Sequence, residues 1–216
     1  MENESSIIYV EKTKHVGRNL KMYVPDELTN TIHQVMINTN QEHLKLTEWS
    51  IVYAPEYLIT VNLTKEIKKL CDVDNVYMEW NIKDLISSDN IKNIENIRDG
   101  KCDICILMND NTNILIEVKN TITNNGSKLK SIHKDIERIG KFILNNNDSF
   151  NIGYVCFLVK ANGKEKVKEK SETYFSEMNT IFPNLELFRY IEVFKEEDED
   201  NCNYIASVVV KIQADT

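Results

Sequence analysis

Hydrophobic positions along this chain recur with two different periods, and the change from one to the other marks out the elements. The clearest helical period covers residues 128–144. There Ile132, Ile136, Ile139 and Ile143 form one stripe, and Lys130, Lys134, Arg138 and Lys141 fall on the opposite one. A second helix is predicted from Pro55-Glu56 to about Leu70, with Ile59, Leu63, Ile67 and Leu70 on one side and a proline and an acid in its first turn. A third opens at Pro25, followed by Asp26 and Glu27, and runs to about Ile37. Apolar runs bounded by turn residues predict strands at 76–82, 101–108, 114–119, 151–160, 185–194 and 204–212. Asn109-Asp110-Asn111 joins the second and third of these into a hairpin. Ile7 to Val10 and Leu20 to Val24 are short strand candidates, residues 91–97 a short helix, and the lysine-rich stretch 162–178 a helix or loop.

From residue 55 the order is helix, strand, strand–turn–strand, helix, strand. It predicts an α/β (α+β) domain, a mixed sheet flanked by helices with antiparallel pairing first and a crossover later. Residues 1–54 read as an N-terminal elaboration, 55–160 as the core, and 161–216 as a helix and strand pair extending the same domain. The 216 residues suit one well-packed domain with such additions.

Composition narrows the classes. With 42% hydrophobic and 28% charged residues, and only 6 glycines and 3 prolines, the chain is neither disordered nor linker-rich. Its acidic start, Met1-Glu2-Asn3-Glu4, and the shortness of its apolar runs predict a soluble, cytoplasmic protein with no membrane partner. The odd cysteine count of five predicts reduced thiols, and the scattered histidines offer no zinc spacing. A net charge of −8 requires any nucleic-acid partner to be met by locally gathered positive charge.

Acid-x-Lys triplets occur three times, about as often as chance allows, so the pattern alone carries nothing. Glu66-Ile67-Lys68 falls in a helix and Asp99-Gly100-Lys101 in a turn. Only Glu117-Val118-Lys119 falls in a strand, where its acid and lysine share a face and Ile114, Ile116 and Val118 take the other. Across the hairpin, Asp103 interrupts an apolar strand and can reach the same side. Half-buried acids are costly unless paired or metal-bound. Two converging carboxylates suit Mg²⁺ or Mn²⁺, and the lysine adds positive charge where a phosphodiester would be attacked.

Cys102-Asp103 followed by Ile116-Glu117-Val118-Lys119, with a helix before and a helix after, resembles the signature of the PD-(D/E)XK nuclease superfamily. The resemblance covers roughly residues 55–160, with Cys102 where the motif's name has proline. It implies a restriction-endonuclease-like fold, metal binding by Asp103 and Glu117, and service to the attacking water by Lys119. The family often adds a glutamate from the preceding helix. Glu56 and Glu66 both qualify, Glu56 being preferred, and Glu79 is a weaker further acid.

The implied activity is Mg²⁺-dependent hydrolysis of nucleic acid, DNA in preference to RNA, by an endonuclease of a restriction or defence system. The alternative is an inactive nuclease-fold subunit that binds nucleic acid or acts as a scaffold. Lys128, Lys130, Lys134, Arg138 and Lys141 are the candidate phosphate contacts. A homodimer or a partner subunit of a defence complex is the assembly expected.

Overall fold

The helical stripes and the strands meet on the two faces of one sheet. The computed structural model describes residues 9–12, 26–51, 54–70, 73–81, 101–109, 113–122, 126–145, 150–182, 185–195 and 203–214. In chain order its elements are β1 (Tyr9–Lys12), α1 (Glu27–Thr47), α2 (Glu56–Ile67), β2 (Val73–Asn81), β3 (Lys101–Met108), β4 (Asn113–Ile122), α3 (Gly126–Asn145), β5 (Phe150–Asn162), α4 (Lys164–Ile181), β6 (Leu185–Lys195) and β7 (Asn203–Ala214). The described strands form a seven-stranded mixed sheet in the order β1-β6-β7-β5-β4-β3-β2. Only β4 and β5 are parallel, and α3 is the crossover that a parallel pair requires.

Each face carries its own helix layer. On one, Ile32, Val35 and Met36 of α1 and Ile59, Leu63 and Ile67 of α2 pack on Ile104, Ile106, Ile114, Ile116 and Val118. On the other, Ile132, Ile136, Ile139 and Ile143 of α3 and Val167, Phe175 and Met178 of α4 pack on Leu115, Val155, Phe157 and Val208. Each such side chain, fully removed from water, contributes about 1.5–3 kcal/mol. Two glycines set how closely α3 approaches its neighbours. A Cβ on Gly153 would lie 2.2 Å from Ile139 Cγ2, and one on Gly140 would lie 2.2 Å from Leu185 Cδ1.

Two elements differ from the sequence expectation. The helix at 25–37 continues ten residues further, to Thr47, and ends at Glu48 in a left-handed conformation (φ 58°). Its apolar stripe fades after Ile37 because polar residues take over the buried face. Thr39 and Asn40 are buried, and Asn40 Oδ1 accepts from Ile51 N at 3.4 Å. The 162–178 stretch is the helix α4, whose buried stripe Val167, Ser171, Phe175 and Met178 lies among the lysines. The Leu20–Val24 strand and the 91–97 helix fall outside the described residues. No described helix is long and apolar enough to cross a membrane.

Where α1 meets β7, His33 is buried with Nδ1 2.8 Å from Ser207 Oγ. Burial lowers its pKa from 6.5 to about 3. The unfolded chain therefore takes up a proton below pH 6.5 that the native state refuses until about pH 3. Stability should fall with pH across that window, by about 1.4 kcal/mol per unit. Thermal melts of wild type and His33→Gln between pH 7 and 4 check this. The variant should lose less on acidification, and parallel curves would refute the assignment.

Candidate active site

The site begins where the β3–β4 ladder ends. Pairing runs from Leu107↔Asn113 to Ile104↔Ile116, and one residue further on a side chain takes over from the backbone. Asp103 Oδ2 accepts the Val118 amide at 2.7 Å, which holds its carboxylate against β4. On β4, Ile114, Ile116 and Val118 enter the α1/α2 core and Leu115 the α3/α4 core. Alternation therefore turns Glu117 and Lys119 toward α3.

Lys119 is the centre of the cluster. Its Nζ lies 3.4 Å from Glu56 Oε1, 3.4 Å from Asp135 Oδ2, 3.8 Å from Glu117 Oε2 and 4.0 Å from Asp103 Oδ2. These carboxylates come from four different elements: α2, α3, β4 and β3. A second cation, Arg138, closes the α3 side. Its Nη2 donates to Glu117 Oε1 in a very short contact and lies 3.3 Å from Asp135 Oδ1. Glu117 is only 3% exposed, while Glu56 at 42% is partly compensated by water.

The charges do not balance. Four carboxylates face two cations, and setting Glu56 aside still leaves three against two. Burial, and then the Asp103 charge, push the Glu117 pKa up to about 8, against the opposing pull of Arg138 and Lys119. Burial likewise raises Asp135, although Lys119 and Arg138 pull it down. For Lys119, burial opposes the charge but Asp135, Glu56, Asp103 and Glu117 outweigh it, so its pKa rises and it stays an ammonium. Fully ionised, the site is short of positive charge, and below about pH 8 it is Glu117 that keeps its proton.

Of the sequence candidates, Asp103, Glu117, Lys119 and Glu56 are brought together. Glu56 Oε2 also accepts the Asn120 amide at 3.0 Å. Glu66 is not in the cluster; it pairs with Lys69 at 2.6 Å toward the other end of α2. α2 packs on the β4 side of the sheet, and its first residue, Glu56, reaches the lysine. Glu79 is exposed at a left-handed position (φ 51°) in β2 and is not drawn in.

The basic stripe of α3 requires a correction at Arg138. At ~100° per residue, Arg138 stands about 80° from Lys130, between the lysine and isoleucine stripes, and Asp135 about 140°, at the edge of the core face. The guanidinium turns inward to Glu117 and Asp135 instead of standing outward with the lysines. Lys130 and Lys134 are exposed, and Lys141 is paired with Glu137 at 2.6 Å. Lys128 lies in α3 with its side chain outside the described residues.

Sequence reasoning missed two residues. Asp135 lies between the two stripes of α3, and the only available signal was a lone acid beside the buried Ile136. Asn120 donates through Nδ2 to Ile51 O at 3.1 Å and to Ala54 O, tying the start of α2 to the end of β4. Nothing in the sequence marked it out.

The donors suit a hard divalent cation, since all are carboxylate oxygens. Asp135 Oδ2 is buried and meets the Lys119 ammonium at 3.4 Å, so a carboxylate oxygen of α3 faces into the cluster. No group of three His, Cys, Asp or Glu among the described residues is already spaced to hold a metal. The carboxylates would have to close inward on one. Comparison with family models, curated proteins and solved structures gave no match to the chain.

Proposed function

We propose that this protein is a divalent-metal-dependent nuclease that hydrolyses phosphodiester bonds in DNA, and that its charged cluster is built on the PD-(D/E)XK plan. The observation that carries the reading is the convergence of Glu56, Asp103, Glu117 and Asp135, from four elements, on the ammonium of Lys119. A cluster that served only stability would be poorly chosen, because buried ion pairs rarely outperform apolar packing and this one is left short of cations. The order α2-β2-β3-β4-α3-β5, antiparallel through β2–β4 and parallel at β4–β5, supports the same plan.

Asp103 and Glu117 would hold Mg²⁺ or Mn²⁺, with Asp135 as a third carboxylate within reach. Such an ion supplies Lewis-acid neutralisation of the charge that grows on the scissile phosphate. The chain's own groups do the rest. In the metal-free cluster Lys119 is an ammonium, so it acts as a donor that orients the attacking water and steadies a phosphate oxygen. The Val118 amide fixes the Asp103 carboxylate, and Asn120 with Glu56 fixes the height of Lys119 above β4. Lys130 and Lys134, exposed on α3, offer backbone neutralisation without base reading.

The test is incubation of purified protein with supercoiled plasmid and with single-stranded RNA, in Mg²⁺ and in EDTA. Cleavage of the plasmid alone, and only in Mg²⁺, is expected. Binding without cleavage would favour an inactive nuclease-fold subunit, and neither binding nor cleavage would end the nucleic-acid reading.

A further inference from the structure

Arg138 takes up a position that a bound metal would contest. Its Nη2 bridges Glu117 Oε1 on β4 and Asp135 Oδ1 on α3, one positive group joining carboxylates of two elements. Glu117 is almost fully buried, and among the described residues its close counter-charges are Arg138 and Lys119. The guanidinium itself is 21% exposed and sits at the border between the core face and the lysine face of α3. Its Nε is buried and has no hydrogen-bond partner among the described residues, so the present pose leaves one donor of the fork unused. Lys119 is rooted in a central strand, whereas Arg138 is a long side chain on a helix edge that rotation can carry outward beside Lys134.

We propose that Arg138 is a tethered counter-ion exchanged for the divalent cation. Without metal it neutralises Glu117 and Asp135. When these carboxylates close on a cation the guanidinium is released, and its fork becomes a contact for a backbone phosphate of the substrate. The exchange presupposes the divalent-cation site proposed above. It adds an order of events, in which metal binding creates part of the phosphate-binding surface. Like charges at one site compete, and the linkage is reciprocal: metal and nucleic acid each strengthen binding of the other through Arg138.

Calorimetry with Mn²⁺ alone, on the full chain without nucleic acid, gives the first readout. Arg138→Gln should bind Mn²⁺ about tenfold more tightly than wild type, because the carboxylates no longer spend most of their time occupied by the arginine. Arg138→Lys, which keeps the charge but not the fork, should fall between the two and serves if the glutamine variant does not fold. The second readout is binding of a short DNA duplex with and without Ca²⁺. Arg138→Gln should weaken binding about tenfold in Ca²⁺ and leave it unchanged without metal, since only a released guanidinium contacts phosphate. Weaker or equal Mn²⁺ binding in both variants would overturn the exchange and make Arg138 an orienting residue for Glu117. Equal loss of DNA binding with and without Ca²⁺ would overturn the release. If wild type bound no Mn²⁺ at all, the metal-site reading would fail and the exchange with it. If it bound Mn²⁺ but these differences were missing, only the exchange would fail.

Discussion

Asp103→Asn should abolish Mg²⁺-dependent cleavage, with a loss of at least about 10³-fold, while leaving the melting temperature close to wild type. The amide keeps an oxygen that can accept the Val118 amide, so the bond that closes the β3–β4 junction survives. What disappears is the negative charge facing Lys119 and the anionic oxygen available to a cation. Glu117→Gln should lose activity to the same degree yet melt at a higher temperature. An acid whose pKa is raised on folding destabilises the native state from its unfolded value upward. For Glu117 the penalty begins near pH 4.5 and grows until about pH 8. The glutamine retains an acceptor for Arg138 and removes that penalty. Each kcal/mol relieved is worth about 2–4 °C in a domain of this size. Plasmid cleavage, Mn²⁺ calorimetry and thermal melts at pH 7.5 on both variants are the measurements. Retained Mn²⁺ binding in either one would show that its carboxylate is not a ligand.

This opposition between stability and activity also explains how much of the site could be read from the sequence. Asp103, Glu117 and Lys119 stood out because charge in an apolar strand is costly, and the period of two fixes which face it takes. The helix acid narrows to two glutamates, of which Glu56 is preferred without a deciding signal, because both occupy the apolar side of α2. The choice depends on which end of that helix abuts β4, a tertiary fact. Asp135 and Arg138 escaped for a different reason. They lie on the border of α3, about 60° apart, and periodicity separates the centres of two faces far better than their edges. Arg138 was therefore grouped with the outward lysines until the fold turned it toward Glu117. Asn120 had no signal, because its role is to satisfy backbone carbonyls at Ile51 and Ala54, and an asparagine doing that looks like one in a turn.

The elements themselves were legible for the same physical reasons. α3, β3 and β4 have strong periods and clear turn residues at their ends. α1 was read short because its second half buries Thr39 and Asn40, and α4 remained undecided because lysines and glutamates hide a stripe of Val167, Ser171, Phe175 and Met178. The mixed sheet followed from element order, but the place of β6, β7 and β1 did not. Antiparallel strands joined by loops can add to either edge, and here they extend the sheet beyond β5.

Lys119→Met should separate metal binding from turnover. The methylene stem is roughly preserved, so packing above β4 is little disturbed, but the ammonium shared by four carboxylates is gone. Arg138 alone then faces them, and buried like charges without a counter-ion are among the most expensive arrangements in a protein. In the absence of metal the variant should melt well below wild type, and the gap should widen above about pH 8, where wild-type Glu117 gives up its proton and the variant's, without the pull of Lys119, holds on to it. A divalent cation replaces the missing charge. Mn²⁺ should therefore bind more tightly than to wild type and raise the melting temperature further. Cleavage should nevertheless fall by about 10²–10³-fold, because the donor that orients water and steadies the phosphate is absent. Lys119→Arg restores charge without the compact ammonium, and should recover stability but little activity. Melts with and without Mn²⁺, calorimetry and single-turnover cleavage on the same preparations test the whole set. Weaker Mn²⁺ binding in Lys119→Met would mean that the lysine helps to assemble the metal site instead of repelling the ion it serves.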